Sequence, residues 1–139
     1  MKRSNHKVAV TIGVTPSSAW DVIGAVSGVD KWLDPITECR VEGSKRYCTT
    51  EHGQFSEDIL KIDNENKVLK YSIPQQNMIP VENIVGQMQV LKADNNQTTV
   101  EWSWDYDVAE DEDSKAKEML SGVGSMGIKG IENYINSRN

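Results

Sequence analysis

"SGVGSMGIKG", residues 121–130, places Gly122, Gly124 and Gly127 in the spacing of a dinucleotide-binding fingerprint, and the fold turns on whether it cradles a phosphate. The fingerprint has physical meaning only where it leaves a strand, opens a helix and is followed about 20 residues on by an acidic group on a second strand. Only twelve residues follow Gly127, and upstream Asp107 to Lys115 is acidic where an apolar strand would have to feed the turn. A phosphate cradle is therefore not expected, and no cofactor is. The glycines fall instead inside a helical repeat, in which Ala116, Met119, Leu120, Val123, Gly127, Ile131, Tyr134 and Ile135 form an apolar stripe from about Ser114 to Ser137. Each glycine lowers helix propensity by about 1 kcal/mol relative to alanine. A sequence that keeps them has a helix pressed closely on its neighbours, room left for a ligand, or a kink.

Working back from that helix, "TTVEWSWDYD", residues 98–107, alternates Val100, Trp102, Trp104 and Tyr106 against Glu101, Ser103, Asp105 and Asp107. That is a strand with one aromatic face. "ADNNQ" joins it to another long strand at about 81–92. Four shorter runs, roughly 36–43, 45–52, 54–63 and 67–74, are separated by turn residues and predict antiparallel strands. The chain opens with a strand from Lys7 to Val14, on which Val8, Val10, Ile12 and Val14 alternate with other residues. A helix follows, with Thr15 as cap, Pro16 in the first turn, Ala19, Val22, Ile23 and Val26 on one face, and Gly28 as terminator.

The 139 residues suffice for one domain with a real core. A net charge of −6 without a basic cluster argues against a nucleic-acid surface. No apolar signal core or membrane-span length is present, which predicts a cytoplasmic protein. Cys39 and Cys48 make no disulfide framework and lack metal-ligand spacing, so they read as small buried hydrophobes on neighbouring strands. The acidic run at 110–113 lacks the ordered spacing of a calcium loop and reads as a solvated helix entrance that suits the helix dipole. No metal site is expected. His6 and His52 read as solvated.

The order strand, helix, six strands, long helix resembles the START-like (SRPBCC) superfamily, the helix-grip proteins. These include polyketide cyclase/dehydrase-like and lipid-transport proteins, birch-pollen-allergen-like proteins and plant abscisic acid receptors. The resemblance rests on residues 14–43, 45–73 and 98–107. It implies an α+β helix-grip fold, a curved antiparallel sheet of about seven strands wrapped around a long C-terminal helix, with residues 1–139 as one ligand-binding domain. It further implies a cavity between sheet and helix for a small hydrophobic or amphipathic molecule. Its wall would include Thr37, Cys48, Thr50, Glu57, Tyr71, Ile73, Ile84, Gly86, Trp102 and Trp104, with Met119, Val123 and Gly127 from the helix. On this mapping Gly127 makes room beside the two tryptophans. The plant receptors carry a lysine where this chain has Thr37, and neither their gate nor their latch signature is present, so a hormone-receptor role is not expected.

Glu57 is the acid that both alternation and resemblance place inward. Buried alone, it would favour its neutral form and suit a general acid or a hydrogen-bond donor; Arg46, of the same strand parity as Cys48, is the alternative, as an ion-pair partner. Two functions follow: a carrier or sensor, or a cyclase/dehydratase-type enzyme in which Glu57 and Tyr71 move protons. A partner-binding module and a homodimer are left open.

Overall fold

The computed structural model describes residues 1–138. Seven antiparallel strands, β1 (Lys2–Ile12), β2 (Glu38–Glu42), β3 (Lys45–Thr50), β4 (Gly53–Asp63), β5 (Val68–Ile73), β6 (Val81–Lys92) and β7 (Thr98–Val108), form one sheet in the order β1-β7-β6-β5-β4-β3-β2. The N-terminal strand thus lies beside the last one, in register from Lys2↔Val108 to Ile12↔Thr98. Register shifts on β4 between Ile59 and Lys61 and on β6 between Glu82 and Val85 bend the sheet, as bulges do. The helix α1 (Pro16–Ile23) and the long helix α2 (Asp113–Ser137) cover its inner face. Among the described residues no helix is long and apolar enough to cross a membrane.

β1 starts five residues earlier than the apolar alternation predicts, because Ser4 and His6 turn toward polar groups of α2 instead of an apolar core. α1 is capped as expected: the Thr15 hydroxyl accepts the Ser18 N–H at 3.2 Å, and Pro16 sits at the first position. It ends at Gly24, whose N–H bonds the Trp20 carbonyl at 2.7 Å, and not at Gly28, which opens a short 3-10 turn at φ 80°.

α2 runs without a break, and its glycines are points of closest approach. A Cβ on Gly124 would lie 2.9 Å from Trp104 Cη2 and 3.1 Å from Val8. On Gly127 it would lie 2.8 Å from Trp102 Cζ3 and 3.1 Å from Leu33, and on Gly130 it would run into the Trp32 carbonyl. Only Gly122 meets nothing. The expectation that Gly127 leaves space is corrected: the indoles of Trp32 and Trp102 fill it. The helix phase is also turned slightly, so that Leu120, Gly124 and Ile128 are buried while Met119 is half-exposed.

The acidic run divides. Glu110–Glu112 form a 3-10 turn, but Asp113 turns inward, accepting from Lys117 Nζ at 2.9 and 3.0 Å, Ser4 Oγ at 2.9 Å and Tyr106 Oη at 3.1 Å. Hydrogen bonding by Lys117, then by Ser4, Lys2 and Tyr106, holds its carboxyl well below the usual range against the opposing effect of burial.

Candidate functional site

Inward positions of four strands, two residues of α2 and two loops enclose a cavity of about 140 Å³. The β-strand period of two places Phe55 and Glu57 on β4, Tyr71 and Ile73 on β5, Ile84 on β6, and Trp102 and Trp104 on β7 around it. Leu120 and Val123 close it from α2, and the loop after the 3-10 turn adds Leu33, Pro35 and Ile36. The opposite loop, between Pro74 and Pro80, brings Gln76, Met78 and Ile79. Gln76 organises that loop: its carbonyl accepts the N–H groups of Met78 at 2.8 Å and Ile79 at 3.0 Å, while its amide donates to the carbonyls of Ile79 and Val81.

The wall is almost wholly apolar. The two indoles lie with centroids 5.2 Å apart and tilted by 31°, and Trp32 meets Trp102 edge-on at 5.9 Å. Tyr71 lies on Gly86, its register partner on β6, where any Cβ would collide with the phenol ring. Trp102 Nε1 donates to Tyr71 Oη at 2.8 Å. Burial first, and then the nearby Glu57 carboxylate, push the Tyr71 hydroxyl above its ordinary range, so it serves as a hydrogen-bonding group and not as a phenolate.

Of the two alternatives for Glu57, the ion pair is the one formed. Arg46 Nε donates to Glu57 Oε1, both side chains are 6% exposed, and Arg46 Nη1 reaches the Val26 carbonyl at 2.8 Å. Burial works against the guanidinium charge, but the Glu57 carboxylate outweighs it and raises the pKa of Arg46. The unpartnered buried acid that would favour a neutral form is therefore absent. Arg46 also lies 5.5 Å from the centroid of the Tyr71 ring.

Cys48 packs behind the pair, 3.8 Å from Glu57 Oε1 and 3.9 Å from the sulfur of Cys39, its register partner. Burial, then Glu57, push its thiol well above the ordinary value, the opposite of what a nucleophile needs.

Of the expected wall, Glu57, Tyr71, Ile73, Ile84, Trp102, Trp104 and Val123 line the cavity. Thr37 does not: it is exposed, beyond the end of β2, with N–H and hydroxyl both on the Thr49 carbonyl. Thr50 is buried but ties the β3–β4 turn, accepting the His52 N–H and donating to the Gly53 carbonyl. Cys48 is screened by the ion pair, Gly86 is covered by Tyr71, Met119 is on the wrong side of the helix, and Gly127 is filled by tryptophan. Phe55 shares the parity of Glu57 and was legible in the strand pattern. The loop residues were not, because loop geometry carries no period.

His6 is corrected as well. It is half-buried between β1 and α2, its Nε2 2.6 Å from Ser121 Oγ and its ring stacked over Trp104 at 6.4 Å. His52 is exposed. Among the described residues no three His, Cys, Asp or Glu side chains converge as metal ligands.

A bent antiparallel sheet closed by a long C-terminal helix over an apolar cavity defines a helix-grip protein of the START-like class. The sequence profile described as polyketide cyclase/dehydrase and lipid transport matches residues 5–134, and the chain belongs to that family. No curated protein matches it in sequence. Among solved structures, an uncharacterised protein of Bacillus thuringiensis is 22% identical with a TM-score of 0.86, covering 95% of this chain and 98% of that one. The protein XoxI of Bacillus cereus is 24% identical with a TM-score of 0.84, covering 97% and 96%. Norcoclaurine synthase of Thalictrum flavum, solved with dopamine and hydroxybenzaldehyde, is 12% identical with a TM-score of 0.78, covering 99% and 89%. At these identities the likeness is one of fold.

Proposed function

We propose that the protein binds a small, neutral, hydrophobic or amphipathic molecule in the inner cavity, as a carrier or sensor. The observation that carries this is the chemistry of the wall: apolar and aromatic surface surrounds one carboxylate whose charge Arg46 already balances. A ligand carboxylate placed there would be buried beside Glu57 without a cation of its own, which is strongly unfavourable. A hydroxyl or carbonyl needs only a placed hydrogen bond, which Glu57 and Tyr71 offer. The cavity is close to the roughly 150 Å³ that admits benzene in an apolar protein interior, so a single ring or a short chain is the matching size. A cytoplasmic setting goes with this reading, since a reducing compartment keeps the facing thiols of Cys39 and Cys48 free.

Native mass spectrometry of freshly purified protein, followed by a thermal-shift series with toluene, 4-methylphenol and 4-methylbenzoate, tests it. The expected result is a copurified small mass or stabilisation by the two neutral compounds and not by the acid. Stabilisation by the benzoate alone would refute the reading.

The second reading is an enzyme, favoured by one observation: Glu57 and Tyr71 line the same cavity. It requires that Glu57→Gln abolish turnover of a bound substrate while leaving its affinity, whereas a carrier has no turnover to lose.

A further inference from the structure

A second hollow lies beyond the Arg46–Glu57 pair. It is an open groove of about 460 Å³ between the segment after α1 and strands β2 and β4, lined by Val26, Val41, Ile59, Leu60 and Ile62 among others. Val41, Leu60 and Ile62 are 38%, 53% and 48% exposed, so three of the seven large hydrophobics exposed among the described residues gather in this one groove. Surface apolar residues scattered singly need no explanation, but a gathered set marks a surface with something to bind.

The groove and the inner cavity are neighbours along one strand face. Glu57 of β4 faces the cavity, and Ile59, two residues on, faces the groove. Arg46 runs between them, donating to Glu57 on the cavity side and to the Val26 carbonyl on the groove side. Val41, which lines the groove, is the register partner of Arg46 on β2.

Val26 sits in the left-handed region at φ 68°, a conformation that a β-branched side chain rarely adopts. Its segment is bounded by Gly24 and Gly28, and the Arg46 hydrogen bond ties the strained carbonyl in place. Strain of this kind persists only where surrounding contacts impose it, and it gathers at clamps and switches.

We propose that the groove is the outer half of one ligand passage, and that the Arg46–Glu57 pair is the partition that sets how long a chain the inner cavity accepts. The ligand class is a neutral, unbranched amphiphile such as a medium-chain alcohol. This rests on the reading of the inner cavity as a ligand site. With the partition closed, the chain is limited to what about 140 Å³ holds. With Arg46 withdrawn from Val26 and Glu57, the apolar walls of the cavity and the groove become continuous.

The test is a tryptophan-fluorescence titration with 1-alkanols from butanol to dodecanol, on the wild type and on the double variant Arg46→Met/Glu57→Gln. The double change removes both charges together and leaves neither buried alone. In the wild type, affinity should rise about fourfold per methylene while burial continues. It should then level off at around six to eight carbons, the size the inner cavity admits. In the double variant the rise should continue by several further methylenes. Methyl resonances of Val41, Leu60 and Ile62 should then shift with decanol and not with butanol.

Arg46→Lys, whose shorter side chain keeps a charge for Glu57 but cannot also fork to Val26, is a second variant should the double one fold poorly; it too should lengthen the limit. An unchanged chain-length limit in both variants, or groove methyls that ignore decanol, would overturn the partition and leave the inner cavity as a ligand site. Failure of every alkanol to bind the wild type would overturn this inference, and failure of toluene and 4-methylphenol as well would overturn the ligand-site reading beneath it.

Discussion

Four glycines of one helix, each replaced by alanine, separate close packing from empty space. The intrinsic gain is the same at each position, about 1 kcal/mol of helix propensity, so differences among the four report what the new methyl meets. At Gly122 it meets nothing within 4 Å, and the substitution should stabilise by about 0.5–1 kcal/mol. At Gly127 it lies 2.8 Å from Trp102 Cζ3. That indole has little freedom to retreat, because its Nε1 is bonded to Tyr71 and its face lies against Trp104. Overpacking of this kind costs about 1–3 kcal/mol, so a net loss of about 1 kcal/mol is expected. Gly124 should behave similarly, since Trp104 and Val8 both crowd it. Gly130→Ala should be the worst of the four, because the obstacle is the Trp32 carbonyl, which moves only if the backbone does. Urea unfolding followed by circular dichroism gives the order directly, with a midpoint temperature change of about 3–5 °C per kcal/mol as a check. Equal stabilisation at all four positions would refute the packing argument and restore the idea that Gly127 leaves room.

Removing one partner of the buried ion pair should be far more damaging than removing both: Arg46→Met should cost about 3–5 kcal/mol, and Arg46→Met/Glu57→Gln much less, which a double-mutant cycle of unfolding free energies measures. Tyr71→Phe leaves the buried Trp102 N–H unpaired and should cost about 1–3 kcal/mol by denaturant unfolding. The Asp113 carboxyl is held down by Lys117, so its contribution is present above the unfolded-state value and lost as pH falls through the folded one; Asp113→Asn should flatten the acid limb of stability against pH. His6 is lowered by burial, then by Lys117, so its contribution is full above about pH 6.5 and declines as pH falls below that; His6→Gln should remove this slope in thermal melts between pH 7 and 5.

The strands and both helices were legible because burial imprints a period on them. The aromatic alternation of residues 98–107 fixed the face of β7, alternation and resemblance together placed Glu57 inward, and the resemblance implied Tyr71 and Ile84. Periodicity could not say what stands between an inward residue and the cavity. Cys48 is inward yet screened by an ion pair, and Gly86 is inward yet covered by the Tyr71 ring. The helix pattern gives a face but not its phase to within one residue: it carries both Met119 and Leu120, and of the two only Leu120 is buried, with Gly124 one turn on. His6 and Asp113 read as solvated because a polar contact across two elements leaves no apolar signal in either. The part of the cavity wall that Gln76 organises within a loop depends on a conformation that no repeat encodes.

Whether the cavity beside Trp102 and Trp104 holds a small neutral molecule can be read from the indole N–H resonances in a titration with 4-methylphenol. Trp102 and Trp104 line the cavity, while Trp20 Nε1 is bonded to Asn64 Oδ1 at 3.0 Å and lies outside it. Saturable shifts of Trp102 and Trp104 with Trp20 unmoved are predicted. Shifts confined to Trp20, or no saturable shift at any of the indoles, would contradict the account.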